Sequence, residues 1–296
     1  MTEYLQGFMP VLSSEMGHLG DELNGYVHIL MFLLMFGWGI FFIYCLIRFN
    51  SKANPKASYH GVTNHYSSYV EFGIVAVEAI LLIGFAIPGY SQVKYDSDII
   101  GVSNKDDLKV RIIAQQFAWN IHYPGEDGIF GNTRIELVNE ETNPIGLDRS
   151  GHGADDITTI NQLHLPVNKL AKLYISSKDV IHGFALPEMR VKQDAIPGME
   201  IPIYFTATMS SDEYVSYLKE NDWTRYNNKL DKDAKTYLSL SDNVKDTYYR
   251  GYQIACAQLC GNSHYFMKGY MTVHEQDDYS NWLIDNKPEE EEEEEW

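Results

Sequence analysis

Residues Val27–Ile47 read VHILMFLLMFGWGIFFIYCLI, 21 positions without an acid, Lys or Arg. At ~1.5 Å of rise per residue, this run is long enough to span the ~30 Å hydrocarbon core of a bilayer. A second apolar stretch, Phe72–Tyr90 (FGIVAVEAILLIGFAIPGY), is interrupted only by Glu78 and Pro88. Two spans this close together predict a transmembrane helical hairpin. The flanks orient it. Arg48, Lys52 and Lys56 lie in the connecting loop, with no acid before Glu71, whereas residues 1–25 hold Glu3, Glu15, Asp21 and Glu22 and no Lys or Arg. The positive-inside rule puts the loop in the cytoplasm and both ends outside. Residues 1–25 lack the basic start of a signal peptide, so they read as an extracytoplasmic segment. The expected division is a hairpin over 26–91, with helices at about 27–47 and 72–90. A globular part over 92–286 and an acidic tail over 287–296 follow.

Beyond the hairpin the pattern changes. Leu108–Ala114, Ala171–Ser176, Ile201–Thr206, Tyr252–Ala255 and Met271–His274 are short β-prone runs. Gly, Pro, Asn and Asp fall between them, which indicates an all-β sandwich or barrel. The stretch 210–245 is charged, Tyr-rich and free of Gly and Pro, and reads as a helical insertion. The run Glu289–Glu295 is expected to be disordered through self-repulsion.

The chain has 296 residues, 45% of them hydrophobic, and a formal net charge of −18. Seven of those charges are the terminal glutamates. The acidic remainder argues against a nucleic-acid partner, which needs a basic face, and suits attraction of a basic protein. Of three cysteines, Cys45 lies in the first span and reads as a buried thiol. Cys256 and Cys260 are another matter. They open the motif Cys256-Ala-Gln-Leu-Cys260-Gly-Asn-Ser-His264-Tyr-Phe-Met267. Two thiolates four residues apart can bridge a pair of soft metal ions, with His as a borderline ligand and Met as the weak thioether common in copper electron-transfer sites. His182 is a fifth side chain that the fold would have to bring in. Zinc would use the cysteines and histidines but not Met267. A disulfide would leave His264 and Met267 without a role, and the spacing is wrong for covalent haem attachment. Ligand chemistry therefore favours copper, with zinc and a disulfide still open.

With these motifs the chain resembles subunit II of the haem–copper cytochrome c oxidases over nearly its whole length. Asp179-Val-Ile-His182-Gly-Phe184 is similar to the family segment carrying the first copper-binding His. Arg190-Val-Lys-Gln-Asp194-Ala-Ile-Pro-Gly198 resembles the strand after it, and Gln116-Phe117-Ala118-Trp119 the aromatic segment above the copper. The resemblance implies a cupredoxin-like domain behind the hairpin, with binuclear copper (CuA). It implies that Cys256 and Cys260 bridge both coppers, that His182 and Met267 complete one, and that His264 and the backbone carbonyl of Gln258 complete the other. It further implies electron transfer from a c-type cytochrome to haem in subunit I, where O2 is reduced to water with proton pumping. The partners so implied are subunit I, other oxidase subunits, a separate cytochrome donor, with a larger respiratory supercomplex as a further option, and the lipid bilayer. The setting would be a bacterial cytoplasmic membrane with the copper domain on the periplasmic side.

Two positions depart from the family pattern. Gln258 stands where a Glu side chain usually also binds a magnesium or manganese ion shared with subunit I, which weakens the expectation of that ion. Phe117 stands where a surface Trp usually receives the electron, leaving Phe117 and Trp119 as the candidate aromatics. The insertion 210–245 precedes the copper loop and is a candidate docking element. Glu71 aligns with a family Glu at the mouth of a proton uptake route. Glu78, seven residues on, lies about 20° short of two full turns away, so both carboxylates share a face expected to meet subunit I. A membrane-tethered copper-delivery module is the competing function. It would favour an exchangeable single-copper site over five side-chain donors.

Overall fold

The computed structural model describes residues 9–52, 54–56, 59–60, 64–95, 108–221 and 251–288. Expectations for the rest of the insertion (222–245) and for the tail from 289 onward lie outside the described residues. The chain divides into two compact units, and residues 10–17 group with the β-rich unit rather than with the helices that follow them.

The helical unit contains α1 (Gly17–Arg48) and α2 (Tyr66–Leu81). The π-helical turn Leu82–Ala86 then leads into α3 (Ile87–Tyr95). Both membrane-capable helices outrun their apolar cores: α1 has 32 residues, and the second helix is apolar enough over Tyr66–Gln92. The polar first turns of α1 continue the helix beyond the span, because exposed backbone there can still close its own hydrogen bonds. Pro88 explains the π turn. It has no N–H to give to the carbonyl four residues back, at Gly84, so the ladder re-registers at that point. Tyr26 and Phe85 touch at 5.2 Å between ring centroids.

The second unit is a sandwich of two five-stranded sheets. The first has the order β3 (Ile157–Ile160), β2 (Ala118–Tyr123), β1 (Leu108–Gln115), β5 (Leu170–Ser177), β8 (Ile201–Thr206). The second has the order β4 (Gln162–Pro166), β10 (Lys268–His274), β9 (Tyr252–Cys256), β6 (His182–Leu186), β7 (Val191–Ala195). Each sheet contains one parallel pair, β1 with β5 and β4 with β10. The inward positions alternate as a pleated strand requires: Val110, Ile112 and Ala114 on β1 are fully buried. Trp119, Tyr123, Tyr252 and Phe184 fill the centre between the sheets. This is the cupredoxin-like architecture expected for the globular part.

Two additions brace it. Residues 10–17 lie along the free edge of β8, where Ser14 bridges Ala207. Ser13 N–H donates to the Glu188 carbonyl at 2.8 Å, and Thr208 N–H to the Ser13 carbonyl at 2.9 Å. The insertion begins as α4 (Ser211–Asn221). Ser210 and Glu213 form a capping box, with Ser210 N–H donating to the Glu213 carboxylate at 3.0 Å and Glu213 N–H to Ser210 Oγ at 3.4 Å. Tyr214 of α4 stacks on Tyr252 at 4.3 Å and donates to Glu188 at 2.8 Å.

The closing helix α5 (Gln276–Asp285) rests on a histidine pair. Trp282 stacks on His164 at 4.3 Å, and His164 Nδ1 and His274 Nε2 share a hydrogen bond of 2.8 Å. Burial, and then the adjacent His274, push His164 down to about 3. Burial also lowers His274, with Asp278 and Asp212 working against it. A folded pKa below the unfolded value of ~6.5 means that stability is complete above that pH and is lost as pH falls from there toward the folded value. For His164 the loss approaches ~1.4 kcal/mol per pH unit. Thermal unfolding should therefore shift downward between about pH 7 and pH 4. His164→Phe, which keeps the stack on Trp282, should flatten that slope; a slope equal to wild type would contradict the assignment.

Candidate metal centre

Three loops converge at one end of the sandwich. The pairing of Phe184 with Cys256, between β6 and β9, brings His182 to the cysteine loop although 74 residues separate them. Ala257 N–H donates to the Gly183 carbonyl at 2.8 Å, and Cys256 N–H to the Met267 carbonyl at 3.3 Å, closing the loop at its base. Gly183 permits this approach: a Cβ there would lie 3.0 Å from the backbone of Ala257 and Gln258. Gly261, at φ +135°, makes the turn in a region that side-chain-bearing residues rarely adopt.

The donor atoms face one another. Cys256 Sγ and Cys260 Sγ are 3.8 Å apart and unpaired. A disulfide needs about 2.05 Å, so these are two free thiols. His182 Nδ1 stands 4.0 Å from Cys256 Sγ, and His264 Nδ1 3.5 Å from Cys260 Sγ. Met267 Sδ is 3.8 Å from Cys260 Sγ, and the Gln258 carbonyl oxygen is 3.2 Å from Cys256 Sγ. Ligand atoms of His182, Cys256 and Cys260 all lie within 4.8 Å of one another. His182, Cys260 and Met267 are buried, while Cys256 and His264 are half-buried. Burial, and then the adjacent Cys256, push the Cys260 thiol up to about 11. Two neighbouring thiolates in such a place need a cation between them, which is the condition a bound metal meets. The set is soft: sulfur dominates, imidazole supplies the nitrogen, and the thioether is of use to copper rather than zinc.

Asp179 supports the set, a role sequence reasoning had not isolated. Its Oδ1 accepts from His182 Nε2 at 2.8 Å, leaving Nδ1 turned toward the sulfurs. Desolvation pushes the Asp179 carboxyl upward, but hydrogen bonds from His182, Gln116 N–H and Val180 N–H outweigh it and hold the group below its ordinary value.

The candidate electron-receiving aromatics part company here. Trp119 is fully buried, its ring 6.2 Å from His182 and 5.5 Å from Phe184. At that depth Trp119 offers no exposed face to a donor protein. It occupies an inward position of β2 opposite the small Ala114, and Gly269 leaves room for its ring. Phe117 remains half-buried beside Gly261. Around the site Leu259, Tyr265 and Phe266 are exposed. Glu71 belongs to the helical unit, where it lines a cavity of about 650 Å³ with Trp38, Asn64 and Ser67. Glu78 is exposed on the same helix.

The fold and the site define a membrane-anchored β-sandwich with a soft-donor metal centre at one end. Residues 108–217 match the family model described as cytochrome c oxidase subunit II, periplasmic domain. That match takes in His182 and closes before the cysteine loop. The alternative cytochrome c oxidase subunit 2 of Bradyrhizobium diazoefficiens is 28% identical over 285 residues, covering 93% of this chain and 83% of that one. The probable subunit 2 of Rickettsia conorii is 26% identical over 277 residues, covering 93% and 70%. The solved periplasmic domain of subunit II from Bradyrhizobium japonicum is 24% identical with a TM-score of 0.34, covering 62% of this chain and 96% of that one. Residues 108–217 thus carry a cytochrome c oxidase subunit II periplasmic domain, and over nearly its whole length the chain is similar to proteins named cytochrome c oxidase subunit 2, which are subunits of an oxidoreductase complex.

Proposed function

We propose that this subunit accepts electrons from a c-type cytochrome at a binuclear copper centre and passes them to haem in subunit I, where O2 is reduced to water with proton pumping. The carrying observation is the pair of free sulfurs 3.8 Å apart, flanked by two imidazole nitrogens and a thioether. Cys256 and Cys260 would hold both metal ions, His182 and Met267 one, and His264 with the Gln258 carbonyl the other. Bound copper would supply a one-electron centre. The protein's part is to keep the donors where they are: Asp179 orients His182, and the Trp119–Phe184 pair packs behind it and keeps water out. Fixed ligands mean little rearrangement when the charge changes. Gln258 presents an uncharged, exposed side chain, which is a poor support for the additional magnesium or manganese ion.

Sidedness rests on charge and on the number of spans. The basic residues Arg48 and Lys52 between the two membrane-capable helices favour a cytoplasmic loop. An even number of spans then leaves the β-rich unit on the opposite side. This supports a periplasmic copper domain in a bacterial cytoplasmic membrane.

The spectrum of the intact, copper-loaded protein tests the proposal. An EPR signal split by two equivalent copper nuclei supports it, whereas a single-copper signal would point to a delivery module. Asp179→Asn should weaken copper affinity by about 10–100-fold, since partners that orient a ligand typically carry that much; chelator competition would read the change. In the membrane unit, Glu71 is proposed to stand at the mouth of a proton uptake route. Glu71→Ala should slow turnover, and wild-type turnover in that variant would rule out the role.

A further inference from the structure

Gln116 occupies the turn between β1 and β2 and touches both halves of the metal centre without contributing a donor atom to it. Its backbone N–H donates to Asp179 Oδ2 at 2.7 Å, while the other oxygen of that carboxylate holds His182 Nε2 at 2.8 Å. Its side-chain amide donates to the Cys260 carbonyl at 2.6 Å. The loop backbone is drawn in against it: a Cβ added at Gly261 would come within 2.8 Å of Gln116 Nε2. His182 and Cys260 arrive on separate segments, joined near the centre by the strand pairing at Phe184 and Cys256. The far end of the cysteine loop, at Cys260 and Gly261, is tied back through Gln116.

We propose that Gln116 is a positioning residue for the metal centre, a clamp whose side chain fixes the Cys260 end of the ligand loop while its backbone fixes Asp179 and, through it, His182. The role rests on reading this site as the binuclear copper centre. The side-chain half of the clamp is a hydrogen bond to a carbonyl, so its removal leaves both cysteines, both histidines and Met267 in place. What changes is how firmly the loop is held. Cys260 is almost fully buried, so a loosened loop exposes its sulfur, and a loaded site gives up its metal more readily.

The test uses the intact oxidase complex with three forms of this subunit: wild type, Gln116→Met and Gln116→Lys. Methionine is of similar length without an N–H donor, and lysine restores a donor within reach. In the copper-depleted complex, loss of one hydrogen bond should make local opening, and so alkylation of Cys260 by iodoacetamide, about tenfold faster in Gln116→Met and within about threefold of wild type in Gln116→Lys. In the loaded complex, copper removal by bicinchoninate should follow the same order, with unequal copper hyperfine splitting in Gln116→Met. Equal alkylation rates in wild type and Gln116→Met overturn the clamp. Equal impairment of the Met and Lys variants also overturns it, because bulk rather than the hydrogen bond would then matter. A wild-type complex lacking the two-copper signal refutes the copper reading instead, and the alkylation comparison still decides the clamp.

Discussion

Replacing Cys260 with serine should abolish the binuclear centre and lower electron transfer from the cytochrome by about three orders of magnitude, equivalent to roughly 4 kcal/mol. Cys260 lies at the middle of the donor set: Cys256 Sγ, His264 Nδ1 and Met267 Sδ stand 3.8, 3.5 and 3.8 Å from its sulfur. Serine offers a hard hydroxyl that stays protonated and cannot bridge soft ions. His182 and Cys256 would still bind one ion weakly. The fold should survive, because a serine fits the space of a cysteine and the β9–β10 ladder does not depend on the sulfur. The measurements are oxygen uptake with reduced cytochrome, copper content, and EPR of the purified complex. Wild-type uptake with an unaltered two-copper spectrum would show that Cys260 is not a bridging ligand.

The parts of this molecule that were legible in advance are those written in contiguous residues. An apolar run such as Val27–Ile47 can be satisfied only in a bilayer or a core, so its span is readable, though the polar turns that lengthen α1 to Gly17 are not. Strand β8 falls at Ile201–Thr206 as its composition predicts, because a short run rich in β-branched and aromatic residues between turn signals has few other uses. The cysteine loop declares four donors within twelve residues. His182 is harder: its membership depends on the register of β6 against β9, and no local pattern encodes that. Asp179 and Gln116 are harder still, since their partners are chosen by how two turns meet. The strap at residues 10–17 has no periodicity at all, and it finds its place through backbone groups along the β8 edge. Trp119 was legible as an aromatic near the site, and its ring does lie beside His182. Its depth was not legible, because that follows from the strand position that turns it inward.

That inward position yields the second large effect. Trp119→Ala should destabilise the β-rich unit by about 3–5 kcal/mol, the usual range for truncating a large buried aromatic side chain. Trp119 is fully buried against Phe184 and His182, and it sits where Ala114 and Gly269 leave space for nothing smaller to fill. The cavity would lie directly behind His182, so copper retention should fall along with thermal stability. Trp119→Phe separates packing from electron transfer. Trp119 Nε1 has no hydrogen-bond partner among the described residues, so phenylalanine gives up no hydrogen bond and keeps most of the ring contact. Its cost should be nearer 1–2 kcal/mol, as expected when burial is only partly reduced. If Phe117 is the aromatic face that meets the donor, Trp119→Phe should leave the second-order rate of reduction by the cytochrome nearly unchanged. Phe117→Ala should lower that rate with little effect on stability. Stopped-flow reduction and thermal unfolding of both variants would settle the division of labour. A large rate loss in Trp119→Phe at unchanged stability would return the electron-receiving role to the buried indole.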